Sequence, residues 1–253
     1  MKVLLSTIGT RGDVQPLLAL ALELRLLGHE PSLCVPPNFE DWIQSFGLRC
    51  IPIGPDLRRF SAPAASGQSG SSTVRAGAVA LSKEQKRQLA AGTVREQVRV
   101  LSEAAHGCDL IVAATALQIA ARSIAEQLGI PYVFAAYCPV VLPASDHAPV
   151  PKQGGPYPRG LPGLLNQLLW QVDDRRVNAL FLATLNEERA KLGLAGVRSV
   201  SQHIFTERPW LAADPLPCSR PELRARAQAL ASRMPHDGAR RAAQRLSDEF
   251  SAR

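Results

Sequence analysis

The sequence predicts an α/β fold, a single Rossmann-like, doubly wound parallel sheet followed by C-terminal helices. Three observations predict it. Short apolar or β-branched runs alternate with helical patterns through the first half of the chain; most of those runs lack period-two alternation, as strands buried on both faces do; and glycines close the helical patterns between them.

The strand runs are residues 3–6, 32–35, 49–53, 110–113 and 132–135. Residues 14–27 carry leucine on nearly all sides, interrupted mainly by Glu23 and Arg25, which predicts a well-buried crossover helix stopped by Gly28. Asn38 is placed to cap a short helix running to Phe46, with Asp41 in its first turns and Gly47 ending it. Over residues 60–80 the composition turns to Ser, Gly and Ala, which bury too little apolar area to order themselves. That stretch reads as a surface loop, or as a lid that orders over a substrate. Residues 83–105 form a long polar helix pattern, and residues 115–128 form another, closed by Gly129 with Pro131 beyond. Residues 137–162 hold seven prolines and read as a semi-rigid loop leaving the C-terminal end of a strand, where open α/β sheets bind ligands. Residues 164–192 return to helix, with Leu165, Leu168, Leu169, Val172, Leu180 and Phe181 giving an apolar side.

A chain of 253 residues can bury a substantial core as one large domain or two small ones. A hydrophobic fraction of 46% and a mean hydropathy of -0.03 exclude a disordered or membrane-spanning chain, and no apolar run approaches the roughly 18 residues of a spanning helix. The apolar start is too short for a signal-peptide core, so the expected location is cytoplasmic. Five scattered cysteines without a Cys-x-x-Cys pair argue against a disulfide framework and against a structural metal. The net charge of +7 would suit nucleic acid or an anionic surface, but more than half of it lies beyond residue 219, where eight arginines are set against four acids. Those arginines read as the polar face of docked helices, and no nucleic-acid partner is expected.

The segment Gly9-Thr10-Arg11-Gly12-Asp13-Val14-Gln15-Pro16 joins the first strand to the first helix. It is neither Gly-x-Gly-x-x-Gly nor a Walker loop. Asp13 stands where the helix begins, either as an N-cap or as a carboxylate at the cleft that takes a proton from a hydroxyl.

Residues Ser6-Thr7-Ile8-Gly9-Thr10-Arg11-Gly12-Asp13-Val14-Gln15-Pro16-Leu17, with Leu27-Gly28-His29-Glu30 and Val35-Pro36-Pro37-Asn38-Phe39, resemble the opening of the GT-B nucleotide-sugar glycosyltransferases. That family includes glycopeptide-antibiotic glycosyltransferases and actinobacterial lipid and sterol glycosyltransferases. The resemblance continues in order through Phe46-Gly47-Leu48, Pro52-Ile53-Gly54, Tyr137-Cys138-Pro139, Leu142-Pro143 and His203-Ile204-Phe205-Thr206, and covers roughly residues 1–217. It implies inverting transfer of a hexose from a nucleotide-sugar to a hydroxyl of a lipid, sterol or natural-product acceptor, without metal or cofactor, the nucleotide-sugar being the co-substrate. Asp13 matches the family's general base and Thr10 its neighbouring Ser or Thr; Gly9 and Gly12 keep the loop open. Arg11 is a solvated or a phosphate-facing charge. Tyr137 and His147, in the stretch matching the acceptor loop, complete the substrate-binding candidates, although Asp146 stands where the family often has proline. Asp109 could orient a catalytic histidine in plant relatives, but the histidine position falls in the Thr7-Ile8-Gly9-Thr10 loop, so Asp13 is expected to act alone.

A GT-B enzyme needs two α/β domains of roughly 150–200 residues, and 38 residues follow Pro215, with no His-and-Gly-rich diphosphate segment. The expectation is therefore an acceptor domain over 1–217 joined to a helical tail over 218–253, the donor domain being lost between them. In the tail, Ser219-Arg220-Pro221-Glu222 opens one helix pattern; Asp237 caps another with Ala239, Ala242, Ala243, Leu246 and Phe250 on one side, and both resemble the family's last helices. Such a chain would transfer little sugar alone, or would serve as an acceptor-binding module without transfer. A Rossmann-like nucleotide binder lacks its Gly-x-Gly-x-x-Gly and its ribose-binding acid. The implied partners are a hydrophobic small-molecule acceptor and, if a donor domain is supplied, a nucleotide-sugar. A homodimer and peripheral contact with a membrane's inner face are compatible with the bare interdomain face and the basic tail.

Overall fold

Strand β1, Lys2–Thr7, is buried from Val3 onward on both faces, and a strand with no solvated face belongs in the middle of a sheet. The computed structural model describes residues 1–56, 82–115, 117–151, 157–158, 160–212 and 237–251. Among them β1 is joined by β2 (Glu30–Val35), β3 (Arg49–Pro52), β4 (Leu110–Ala114), β5 (Tyr132–Ala136) and β6 (Trp210–Leu211) in one parallel sheet of order β3-β2-β1-β4-β5-β6. The order runs outward from β1 in one direction and from β4 in the other, so the switch point lies between these two strands, with Ser6 opposite Ala113 and Thr7 opposite Ala114 at its upper end.

Alternate side chains feed two cores. Val3, Leu5, Leu33, Val35, Leu110 and Val112 face α1 (Arg11–Leu26), whose Val14, Leu17, Ala21 and Leu24 are fully or almost fully buried. Leu4, Cys34, Ile111 and Ala113 face α3 (Lys83–Ala104) and α4 (Ala121–Leu128). Each leucine wholly removed from water contributes about 1.5–3 kcal/mol, so the runs of adjacent apolar residues hold both helical layers to the sheet. Ser82 and Gln85 close a capping box at the start of α3, and Gly129 ends α4 at φ +66°, a conformation glycine adopts without penalty.

Several expected elements differ in the structure. The first helix starts at Arg11, three residues before the apolar stripe, because Thr10 is its N-cap. Asn38 lies inside a 3-10 turn, Pro37–Phe39, and does not cap α2 (Glu40–Gln44), whose N-cap is Phe39. The pattern over 115–128 is helical from Ala121; Thr115 has a left-handed backbone that no helix continues through. β6, two residues long, has no counterpart among the expected strands. The stretch at 60–80 and the first tail helix lie outside the described residues.

The last helices pack in two ways. α5 (Gly163–Lys191) buries Thr184, Leu185, Glu188 and Arg189 near its end, whereas Leu165, Leu168 and Val172 of its expected apolar side stay at least 40% exposed. The Arg189 guanidinium donates to Ser123 Oγ (2.9 Å), Glu126 Oε2 (2.7 Å) and the Ala195 carbonyl (2.8 Å), and Ser123 Oγ also meets His203 Nε2 at 2.9 Å. This buried polar knot fastens α5 and α6 (Val200–Phe205) to α4. α7 (Gly238–Phe250) lies along α1 with Ala243 and Leu246 fully buried, while Arg240 and Arg241 face outward. Arg245 stacks over Trp210 at 4.1 Å. Asp237 occupies the N-cap position of α7 without a side-chain cap bond.

Candidate functional site

The site is built where β1 leaves the sheet. A parallel strand followed at once by a helix sends three residues, Ile8, Gly9 and Thr10, across the upper edge of the sheet before α1 begins. Asp13 is the third residue of α1, not its N-cap as the sequence suggested. Its Oδ2 accepts the Thr10 N–H at 2.6 Å and the Thr10 hydroxyl at 3.1 Å, the reciprocal half of a capping box. Among the described residues Oδ1 accepts no hydrogen bond. The carboxylate lies so closely over Gly9 that a Cβ there would overlap Asp13 Oδ2 and Cγ. At Gly12 a Cβ would make only an ordinary contact, 3.7 Å from Thr10 Oγ1. Two glycines that looked equivalent thus differ, and Gly9 is the one the geometry requires.

Two loops brace this turn. After β5, Tyr137 donates its hydroxyl to the Asp13 main-chain carbonyl at 3.0 Å. Burial raises the ionisation of this phenol well above its ordinary value of about 10, and the nearby Asp13 carboxylate adds to the shift, so the group remains a donor. After β4, Thr115 donates to the Ile8 carbonyl at 3.2 Å, and Ser6 Oγ donates to the buried Gln118 Oε1 at 2.8 Å.

Of the expected site residues, Gly9, Thr10, Gly12, Asp13 and Tyr137 come together. Arg11 turns away from Asp13 and lies over the Trp42 ring, 4.8 Å from its centroid. His147 stands elsewhere: its Nδ1 is 2.9 Å from Asp146 Oδ1, and its ring meets the edge of Trp170 at 5.9 Å. The hydrogen bond from His147 holds the exposed Asp146 carboxyl below the usual carboxylate range. Asp109 is at the other end of the sheet, where its Oδ2 accepts the Lys2 N–H at 2.7 Å. It therefore cannot orient a group in the Ile8–Thr10 turn.

A mostly apolar cavity of about 730 Å³ opens beside the loop that follows Tyr137. Its walls include Val141, Leu142, Trp170, Val177, Ile204 and Phe205, with Asp173, Asp174 and Gln202 as polar members. Trp170 Nε1 donates to the His147 carbonyl at 3.0 Å, which fixes the indole in that wall. The lining begins at Val140, three residues beyond Tyr137, so the near wall is within about 11 Å of the Tyr137 Cα. Sequence reasoning missed Trp170 and Thr115: one reads as an ordinary helix residue, and nothing local marks the other's backbone. Among the described residues no group of three or more His, Cys, Asp or Glu is placed to hold a metal. Cys34, Cys50, Cys108 and Cys138 are free thiols, and burial pushes Cys34 up to about 12 and Cys50 to about 11. No helix of the described residues is long and apolar enough to cross a membrane.

Comparison with known proteins agrees with this architecture. Glycosyltransferase GtfC of Amycolatopsis orientalis is 39% identical over 219 residues, covering 85% of this chain and 49% of the relative. The vancomycin aglycone glucosyltransferase of the same organism is 33% identical over 218 residues, with 85% and 49% covered. The chain thus spans about half the length of the curated relatives it matches. The crystal structure of the glycotransferase of kitacinnamycin shares the fold at a TM-score of 0.52 and 13% identity, covering 83% of this chain and 45% of that one. Residues 3–144 match the glycosyltransferase family 28 N-terminal domain, and with a parallel α/β sheet that opens onto an Asp13-bearing turn, the chain belongs to that family.

Proposed function

We propose that this chain is the acceptor-binding half of an inverting glycosyltransferase, with Asp13 as the general base. The observation that carries the reading is the state of the Asp13 carboxylate: Oδ2 is taken up by both Thr10 donors, while among the described residues Oδ1 accepts nothing, at the switch point of a parallel sheet. One oxygen anchors the group and the other is left for a substrate hydroxyl. In the step this implies, the acceptor hydroxyl gives its proton to Asp13 Oδ1 as its oxygen bonds to the anomeric carbon of the sugar. The bond from that carbon to the diphosphate oxygen breaks, and the nucleoside diphosphate leaves with the electron pair. Tyr137 holds the Asp13 backbone during this transfer.

The acceptor is hydrophobic and extended. The 730 Å³ cavity falls within the roughly 300–1,000 Å³ of small-molecule sites, and its near wall lies within about 11 Å of Tyr137. Such a cavity suits a molecule of several fused or linked rings, part of which rests against Trp170, and one relative is named for an aglycone acceptor. The nucleotide-sugar is presented by a second α/β unit that is not among the described residues, and the 253-residue chain taken alone transfers little or no sugar. A second reading, capture of an acceptor without transfer, rests on the same cavity.

Calorimetric titration separates the two elements of the proposal. Vancomycin aglycone is expected to bind saturably, and UDP-, dTDP- and GDP-glucose are expected to give no binding heat. Saturable binding of any nucleotide-sugar by this chain would overturn the acceptor-half assignment. Where transfer is measured with a donor half supplied, Asp13→Asn is expected to abolish it and leave aglycone affinity within about threefold, since the substitution keeps shape and removes only the base.

A further inference from the structure

We infer that Thr115 is a positioning residue for the Asp13 carboxylate, acting through the Ile8 carbonyl; the inference rests on the proposed role of Asp13 as base. Thr115 has φ +72°. A β-branched residue in the left-handed region is strained, and glycine would hold the same backbone more cheaply. What threonine offers in exchange is a hydroxyl, and that hydroxyl donates to the Ile8 carbonyl at 3.2 Å, across 107 residues of chain.

Ile8 is the last residue before the glycine over which the Asp13 carboxylate lies, and Ile8 itself is buried. The position of its carbonyl sets where Gly9 and Thr10 pass, and Thr10 supplies both donors to Asp13 Oδ2. Two residues earlier on β1, the Ser6 hydroxyl donates to Gln118 Oε1, and both of these side chains are fully buried. The loop after β4 therefore grips the exit of β1 at two points. Gln118 holds the strand and Thr115 aims the turn. Tyr137 holds the same residue from the loop after β5, through the Asp13 main-chain carbonyl. The base is thus held by one loop from each strand on the far side of the switch point, β4 and β5.

The test exploits the strain. Thr115→Gly removes the hydroxyl and relieves the backbone, so the fold is not expected to be lost. In the 253-residue chain, amide exchange at Thr10 reports the hydrogen bond to the Asp13 carboxylate. In Thr115→Gly that exchange is expected to rise roughly fivefold, the factor one ordinary hydrogen bond carries, with no fall in the melting temperature. Thr115→Ser, which keeps the hydroxyl, is expected to restore protection at Thr10. Unchanged exchange at Thr10 in Thr115→Gly, or a serine variant that behaves like glycine, would overturn the inference. Failure of the base assignment is read elsewhere: Asp13→Asn would then retain transfer, while Thr115→Gly would still loosen Thr10.

Discussion

The Tyr137 hydroxyl donates to the main-chain carbonyl of Asp13 at 3.0 Å, joining the loop after β5 to the first turn of α1 across 124 residues of sequence. The contact is made to the backbone and not to the carboxylate. It fixes where Asp13 sits without consuming the oxygen that a substrate would need.

Replacing Tyr137 by Phe is expected to lower stability by about 1 kcal/mol, the net worth of one hydrogen bond, and the melting temperature by roughly 2–4 °C. With a donor half supplied, turnover is expected to fall more than acceptor affinity, because the ring still packs and only the anchor of Asp13 is lost. Burial raises the ionisation of both Tyr137 and Tyr132. Their contribution to stability is therefore complete below about pH 10 and is lost as pH rises further, since the unfolded chain ionises first. A tyrosinate absorbance titration should show these two phenols appearing together with unfolding.

Gly9→Ala is expected to displace the Asp13 carboxylate, since the new methyl group would occupy the space of Oδ2 and Cγ. The expected cost is about 1–2 kcal/mol, comparable to losing a helix cap. Denaturant melts of Gly9→Ala, Asp13→Gly and the double variant make the cycle: Asp13→Gly also removes the Asp13 Cβ, 2.8 Å from where the new methyl group would lie, so Gly9→Ala should cost markedly less once the Asp13 side chain is gone. Additive costs would place the clash elsewhere.

His203 predicts an acid limb. Burial, chiefly, holds its imidazole down to about 4, with Arg189 and Arg122 adding to the effect and Glu126 opposing it. An unfolded histidine titrates near 6.5, so between these values the unfolded chain takes up a proton that the folded chain refuses. Stability is complete above about pH 6.5 and falls as pH drops toward 4, by roughly 2–3 kcal/mol. Urea midpoints measured across that range should decline in the wild type and flatten in His203→Gln.

Leu246→Ala is expected to cost about 2–4 kcal/mol, because Leu246 is fully buried between α7 and α1. Arg245→Ala should cost less than about 1 kcal/mol, the range of an exposed cation over an aromatic ring. Thermal melts that rank the two the other way would mean that α7 is held by its polar face.

What the sequence determined by itself follows from burial and short range. Five of the six strands among the described residues were legible as compact apolar or β-branched runs, α1 because leucine lies on nearly all of its sides between strands, and α7 because its apolar residues repeat on one side at 3.6 residues. The Gly9–Asp13 element was legible as a site because its residue types and their order resemble a family's opening. Tertiary structure decided the rest. β6 is two residues long, too short to carry any period, and exists only because Ala135 and Ala136 offer it a free edge. The exact start of α1 depends on Thr10 and Asp13 satisfying each other, and the start of α4 on Gln97 of α3, whose Oε1 accepts the Ala120 N–H at 3.1 Å. Arg11 finds Trp42, Trp170 finds a cavity and Arg189 finds Glu126 over separations of many residues. Local propensity speaks for a few neighbouring residues, whereas the placement of a carboxylate, a strained threonine or an aromatic wall is set by partners that only folding brings within reach.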